Sequence, residues 1–206
     1  VSAAQKKMKT NYPVVNVDRN YHEDPKQMRK QLVEKLGGLP SEADTVLVAM
    51  GFCGGSWKEI AIQKRIVIPR VDDCITLLLH TDDNWYPNLK KAGHLYLSDT
   101  DTGEHSLEAM LEKLCERCGR EDGESIFRSM FASYTNADIM DTGLYDCYAE
   151  EYIAEAQKKA NLIGCALGYV DGSNLLLEKL VSGRWDRQFI VAEPGQMLAE
   201  NDFLEN

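Results

Sequence analysis

Residues 45–55 read TVLVAMGFCGG and residues 66–75 read IVIPRVDDCI, and each stretch begins with an unbroken run of apolar, largely β-branched residues. Such runs are typical of strands that are buried on both faces of a parallel sheet. A loop containing glycine, aspartate or cysteine follows each run. Because the carboxyl ends of parallel strands meet at the same edge of a sheet, we predict that the two loops lie next to each other.

Strand and helix signals alternate on both sides of these stretches. Asp24 followed by Pro25 is typical of a helix start, with aspartate as the N-cap and proline as the first helical residue. The glycines at residues 37–38 would end that helix. Apolar runs at residues 12–17 and 189–192 predict an early strand and the last strand. The alternation indicates an α/β fold with mostly parallel sheets and helices on both faces.

The length of the chain is compatible with two domain organisations. A chain of 206 residues can form two Rossmann-like halves around a cleft or a single integrated domain. We expect a first half at residues 1–134, which carries the cysteine- and glycine-containing loops, and a second half at residues 135–206. In either arrangement, the loops at the carboxyl ends of the strands line the crevice where open α/β sheets bind ligands.

Composition excludes several classes of function. The formal net charge of -10 opposes attraction to nucleic acid and to an anionic membrane surface. No apolar stretch approaches the roughly 20 residues that span a bilayer, and the first residues lack the pattern of a secretory signal. We therefore predict a cytoplasmic protein without nucleic-acid or membrane partners. The six cysteines are too scattered for a disulfide scaffold, and we expect free thiols unless a metal binds them.

The loop at residues 51–55 is the first candidate site. Gly51, Gly54 and Gly55 would let a cofactor approach the backbone closely, and Cys53 would lie at the carboxyl end of the strand. The loop matches neither the dinucleotide fingerprint G-x-G-x-x-G nor the phosphate-binding loop, so neither NAD nor ATP is indicated. Two interpretations of Cys53 stay open: a thiol that contacts a ligand or metal, and a buried cysteine in a tight turn.

The loop after the second strand is the other candidate site. Arg70 could bind the carboxylate or phosphate of a ligand, and Asp72 or Asp73 could act as a catalytic acid or base. Cys74 could join Cys53 as a second sulfur ligand to a metal. The alternative is structural, because an aspartate, Asp73 in particular, could cap the following helix and pair with Arg70.

Other polar positions complete the set of candidates. His22 precedes the first helix and could be a metal ligand or proton shuttle, or a surface residue at the helix start. Asp141, Thr142 and Gly143 follow a predicted strand and could contact a cofactor from the other side of the cleft. The C-x-x-C motif at residues 115–118 lies at the end of a predicted helix, where the helix dipole does not activate a thiol, so we expect it to be structural.

These motifs occur together in a known family. The sequence resembles the uncharacterised prokaryotic family known as domain of unknown function 1638, and the resemblance covers nearly the whole chain. The matching stretches are Tyr21-His22-Glu23-Asp24-Pro25, Gly51-Phe52-Cys53-Gly54, Ile68-Pro69-Arg70-Val71-Asp72-Asp73-Cys74-Ile75, Tyr134-Thr135, Ile139-Met140-Asp141-Thr142-Gly143, Gly183-Arg184-Trp185-Asp186 and Phe189-Ile190-Val191.

The sequence also departs from the family pattern. Gly55-Ser56-Trp57 replaces the usual Gly-Asn continuation of the first loop. Family members usually carry one more strand and an additional cysteine ahead of the point where this chain begins. The resemblance therefore implies a shortened family member or an N-terminally incomplete sequence, and it leaves open a third metal-binding thiol.

The resemblance implies a metabolic context but does not identify a reaction. The family occurs largely in anaerobes, often together with corrinoid-dependent methyltransferase systems. Our leading hypothesis is a cofactor- or metal-binding protein of one-carbon metabolism that holds zinc, an iron–sulfur cluster or a corrinoid, with Cys53, Cys74 and His22 as metal ligands. One alternative is an enzyme that acts on a small anionic metabolite, with Cys53 as nucleophile and Asp72 or Asp73 as base. Another is an accessory protein that docks on a methyltransferase or corrinoid protein.

Overall fold

The chain forms two compact units in a computed structural model, which describes residues 1–18, 21, 24–100, 103 and 106–205. Unit 1 consists of Val1–Leu89 and Ser173–Asn206, and unit 2 consists of Lys90–Gly172. These bounds differ from the predicted halves, because the chain returns to unit 1 at its end. The division into domains at residue 134 stays a prediction.

The elements follow the predicted alternation of strands and helices. The helices are α1 (Ser2–Met8), α2 (Pro25–Gly37), α3 (Cys74–Leu79), α4 (Leu107–Cys118), α5 (Arg120–Phe131), α6 (Glu150–Ile163), α7 (Leu175–Ser182) and α8 (Glu200–Leu204). The strands are β1 (Thr45–Leu47), β2 (Arg65–Pro69), β3 (His94–Leu97), β4 (Asn136–Asp141), β5 (Ala166–Asp171) and β6 (Phe189–Ala192).

Helix α2 begins where the sequence predicts. The Asp24 carboxylate accepts hydrogen bonds from the backbone N–H groups of Lys26 and Gln27, at 2.9 and 3.2 Å. Pro25 is the first helical residue, and Gly38 is the C-cap. The cap satisfies N–H groups that have no partner within the helix, so this start is determined locally.

Strand β2 is the centre of the sheet in unit 1. It pairs in parallel with β1, with Val46 opposite Ile66, and antiparallel with β6, with Ile68 opposite Ile190. Ile66 and Ile68 belong to one buried apolar cluster, whereas Val67 belongs to a second cluster. Because successive side chains point to opposite faces, β2 is covered on both faces, and this explains its unbroken apolar run.

The strand predicted at residues 12–17 is wrong. Residues 11–18 form neither helix nor strand, and Val14 and Val15 are 52% and 54% exposed. Their β-branched side chains favour a strand only where a neighbouring strand and a buried face are available. The segment is held instead by the side chain of Gln5, which bonds both the backbone N–H and the carbonyl of Tyr12.

Unit 2 contains an entirely parallel sheet in the order β3, β4, β5. The central strand β4 buries Ala137 and Ile139 completely. Both residues pack in a cluster with Ala156 and Ala160 of α6. The small alanine side chains let the helix lie close to the sheet.

The predicted α/β class is confirmed, because the described residues form helices and two three-stranded sheets, one of them parallel throughout. The arrangement as two Rossmann-like halves around a cleft stays a prediction. No helix in the described part of the chain is both long enough and apolar enough to cross a bilayer.

Candidate functional site

The two candidate loops of unit 1 are joined through their backbones. Beyond the paired residues of β1 and β2, the Phe52 N–H donates to the Val71 carbonyl at 2.9 Å, and the Cys53 N–H donates to the Asp72 carbonyl at 2.7 Å. A Cβ atom on Gly51 would lie 2.8 Å from the Val71 carbonyl oxygen and 2.9 Å from the Asp73 Cα. Glycine is therefore required at residue 51, because any side chain would separate the loops.

Cys53 has an unusual backbone conformation. Its φ is 48°, in the left-handed region that non-glycine residues rarely adopt. Such a conformation costs roughly 1–3 kcal/mol and persists only where neighbouring contacts impose it. Here the Ser56 hydroxyl donates to the Cys53 carbonyl at 2.7 Å, and Arg29 donates to the Gly55 carbonyl at 2.9 Å. The surrounding contacts thus hold the backbone of Cys53 in this conformation.

The structure brings Cys53 and Cys74 together. Their Sγ atoms lie 3.7 Å apart. Cys53 is 8% exposed, whereas Cys74 is only partly buried. The pKa of the Cys53 thiol is raised far above its ordinary value, mainly by the hydrogen bond with Cys74 and secondly by burial. Without a bound cation, Cys53 is therefore a protonated thiol at neutral pH.

The sulfur separation fits two corners of a tetrahedral metal site. Two thiolates that each lie about 2.3 Å from a zinc ion are about 3.8 Å from each other. Within the described residues, no cluster of three or more histidine, cysteine or acidic side chains is arranged to hold a metal. The predicted ligand His22 lies outside the described residues. The described donors therefore amount to two sulfur atoms.

The two aspartates beside Cys74 differ in their contacts. The Asp73 carboxylate accepts hydrogen bonds from the Ile75 and Thr76 N–H groups, both at 2.9 Å, and so caps α3. Asp72 contributes its backbone to the loop, since its carbonyl accepts from Cys53 and its N–H donates to the Pro87 carbonyl. The predicted capping by Asp73 is thus observed, whereas its pairing with Arg70 and the catalytic roles of both aspartates stay predictions.

Arg70 contacts the C-terminal segment of the chain. Its Nε donates to the Asp202 carbonyl at 2.6 Å, and another guanidinium nitrogen donates to the Glu205 carbonyl. The guanidinium carbon also lies 4.2 Å from the centre of the Trp85 ring. A cation at the last carbonyls of a helix is stabilising, so these contacts attach α8 to the sheet. Anion binding by Arg70 stays a prediction.

Comparison with known proteins decides the family. The sequence model of the family described as "Protein of unknown function (DUF1638)" matches residues 16–181, which is most of the chain. The chain belongs to the DUF1638 family. No curated protein and no solved structure matches it significantly. The matched range of this DUF1638 protein includes both cysteines of the pair, and α8, which Arg70 contacts, lies beyond it.

The predicted loop at residues 141–143 of the DUF1638 chain belongs to unit 2 and follows β4. The Asp141 carboxylate accepts hydrogen bonds from the Tyr148 hydroxyl at 2.9 Å and from the Gly143 N–H at 3.2 Å. Both bonds lower the pKa of Asp141, and the bond from Tyr148 has the larger effect. In return, the carboxylate raises the pKa of Tyr148 to about 12. Thr142 accepts from the Leu144 N–H. The loop therefore presents an ionised carboxylate.

Sequence reasoning missed one polar pair in this DUF1638 protein. The imidazole Nδ1 of His94 lies 2.5 Å from the carboxylate of Asp138, which is 7% exposed in the central strand of unit 2. A Cβ atom on the facing Gly168 would lie 2.6 Å from Asp138 Oδ1, so glycine makes room for the carboxylate. The sequence feature that could have indicated this pair is an aspartate within an otherwise apolar strand.

Proposed function

We propose that this DUF1638 protein binds a soft metal ion, or a cofactor that contains one, through the sulfur atoms of Cys53 and Cys74. The observation that supports the proposal is the 3.7 Å separation of the two Sγ atoms. Thiolates favour zinc, iron–sulfur clusters and other soft centres. With two ligands from this loop pair, the other coordination positions remain for a third protein ligand, such as His22, and for the cofactor or substrate.

The protonation of the pair favours a metal site over a free nucleophile. A nucleophilic cysteine needs a lowered pKa, whereas the pKa of Cys53 is raised by its hydrogen bond with Cys74 and by burial. A bound cation removes this obstacle, because its charge displaces the thiol protons directly. The environment is thus suited to a cysteine that is a ligand when metal is present.

The metabolic context that we propose is corrinoid-dependent methyl transfer or one-carbon metabolism. The proposal rests on the frequent occurrence of the family together with corrinoid-dependent methyltransferase systems. In that context, Arg70 and the neighbouring acids would orient the cofactor that the cysteine pair binds. A methyltransferase or corrinoid protein would be the partner.

A second candidate is an enzyme that acts on a small anionic metabolite with Cys53 as nucleophile. The left-handed backbone of Cys53, at φ 48°, favours this candidate, because strained residues cluster at active sites. It requires Cys53 to react faster with a thiol reagent at neutral pH than the exposed Cys118 does. Slower labelling of Cys53 would exclude it.

Metal analysis tests the main proposal. The protein is purified without oxygen, and zinc, iron and cobalt are measured together with the absorption spectrum, before and after reconstitution with Zn²⁺ or Co²⁺. We expect one metal centre per chain in the native protein and in a Cys118→Ser control. The Cys53→Ser and Cys74→Ser variants should lose it while keeping their circular dichroism spectrum. Retention of the metal in both variants, or no binding after reconstitution, would refute the proposal.

A further inference from the structure

We infer that Cys53 and Cys74 also form a reversible disulfide, which closes by exchange with a low-molecular-weight disulfide and abolishes the metal site. The inference concerns the regulation of the site proposed above and rests on that proposal for its effect on the metal. The disulfide itself depends only on the geometry of the two thiols.

The separation of the sulfur atoms permits the bond. The Sγ atoms are 3.7 Å apart, and a disulfide is about 2.05 Å long, so they must approach by about 1.7 Å. The disulfide therefore requires rotation about one or both of the Cα–Cβ bonds. The loops themselves stay together, because the Cys53 N–H is hydrogen-bonded to the Asp72 carbonyl at 2.7 Å.

The different exposure of the two thiols assigns their roles. Cys74 is partly exposed and can meet an external disulfide, whereas Cys53 is 8% exposed and is shielded from it. Access is one of the factors that set exchange rates. Cys74 is therefore the attacking thiol, and Cys53 is the thiol that resolves the intermediate.

The exchange has two balanced steps. With oxidised glutathione as the reagent, the Cys74 sulfur attacks one sulfur of the reagent, a mixed disulfide forms, and the first glutathione leaves with the proton of Cys74. Once the mixed disulfide has formed, Cys74 is no longer a thiol that shares a hydrogen bond with Cys53. The Cys53 sulfur then gives up its proton and attacks the Cys74 sulfur, and the second glutathione leaves with that proton. The two protein thiols are oxidised, and the reagent is reduced to two thiols.

The other cysteines are placed differently. Cys147 and Cys165 are buried in the apolar cluster of unit 2. Cys115 and Cys118 lie in the last turn of α4, where the Cys115 thiol donates to the Arg120 carbonyl at 3.8 Å. An internal disulfide is therefore expected at the pair in unit 1, whose sulfurs lie 3.7 Å apart, whereas the exposed Cys118 can form a separate glutathione adduct. Since a metal needs both sulfurs as thiolates, the disulfide removes two ligands at once.

The test uses the full-length, reduced, metal-free protein, incubated with oxidised glutathione in the absence of oxygen. The Cys118→Ser control should lose the mass of two hydrogen atoms, and in both this control and the wild type peptide mapping should locate one disulfide between Cys53 and Cys74. Cys53→Ser should stop at a glutathione adduct on Cys74. Cys74→Ser should react much more slowly, because its remaining thiol of the pair is shielded.

Metal binding is measured separately on reduced and oxidised protein with Zn²⁺. We expect binding to the reduced form alone, restored by a reducing agent. A stable glutathione adduct on Cys74 of the wild type, or a disulfide that joins Cys53 or Cys74 to another cysteine, would overturn the inference. Zn²⁺ binding without disulfide formation would overturn it and leave the proposed function standing. Disulfide formation without Zn²⁺ binding would support the exchange and refute the proposed function.

Discussion

The two units place polar loops at the ends of parallel strands, yet they hold these loops in different ways. In unit 1, backbone hydrogen bonds of 2.7 and 2.9 Å join the loop of Cys53 to the loop of Cys74. In unit 2, a side chain holds the loop, because the exposed Tyr148 donates to Asp141. The first arrangement buries a protonated thiol, and the second exposes an ionised carboxylate. The same position in a sheet therefore yields two chemistries, according to burial.

Among the changes that test this comparison, a substitution at Gly51 should have the largest effect on stability and on metal binding. Gly51→Ala places a Cβ atom 2.8 Å from the Val71 carbonyl oxygen, so the loops of unit 1 must separate. We expect the free energy of unfolding to fall by about 1–3 kcal/mol, as for other overpacked sites. Metal binding by the cysteine pair should weaken as well. Urea unfolding and Zn²⁺ titration measure the two effects.

Gly143→Ala is the matched control in unit 2. Gly143 has a φ of 67°, and a Cβ atom there would meet nothing within 4 Å. The cost should be about 1 kcal/mol, from the left-handed backbone alone. Zn²⁺ binding should stay unchanged. Equal losses of stability and Zn²⁺ binding in the two variants would contradict the distinction between the loops.

A change of pH should have an intermediate effect, through His80 at the end of α3. His80 is 1% exposed, and burial lowers its pKa below the ordinary value of 6.5. Between the folded and the unfolded pKa, the unfolded chain binds more protons, so stability falls as the pH falls below about 6.5. One such group contributes a slope of at most about 1.4 kcal/mol per pH unit.

Unfolding by urea at several pH values measures this slope. The His80→Gln variant should be less stable at neutral pH, because His80 Nδ1 bonds the Thr76 carbonyl at 2.9 Å. Its stability should also depend less on pH than that of the wild type. An unchanged slope in the variant would show that His80 does not anchor this part of unit 1 as a neutral imidazole.

The smallest effect on stability is expected at the exposed loop of unit 2. Asp141→Asn removes the negative charge that raises the pKa of Tyr148 to about 12, so this pKa should return toward about 10. NMR titration of labelled tyrosine, with Tyr148→Phe for assignment, measures the change.

Asp146→Asn is the control for this titration. It removes the same charge from the same loop, but Asp146 bonds the backbone N–H of Tyr148 and not its hydroxyl. The pKa of Tyr148 should therefore stay close to that of the wild type. Similar shifts in both variants would assign the effect to net charge rather than to the hydrogen bond of Asp141.

The features that could be predicted from the sequence are those with signals inside the segments that form them. The start of α2 at Asp24 and Pro25 is confirmed, and so is the parallel pairing of β1 with β2. Residues 12–17 had the strand propensity but not the neighbouring strand, and that prediction failed. Propensity describes what a segment can form, whereas pairing depends on residues elsewhere in the chain.

Several features of the site needed the tertiary structure. No local sequence pattern predicts the left-handed φ of Cys53, because the contacts around it include residues far away in the chain, Arg29 and Asp72. The pair of His94 and Asp138 joins residues 44 positions apart. Arg70 had the residue type of an anion ligand, but its hydrogen bonds go to backbone carbonyls of Asp202 and Glu205.

The sequence by itself determined the α/β class, the helix caps and the two loops that carry the thiols, because these depend on spacing and capping within a few residues. Only the tertiary structure decided that the sulfurs of Cys53 and Cys74, 21 residues apart, lie at 3.7 Å. Strand pairing aligns the two loops, and the absence of a side chain at Gly51 lets them meet. The physical reason is that such a distance depends on the packing of distant segments, whereas capping and periodicity act within one segment.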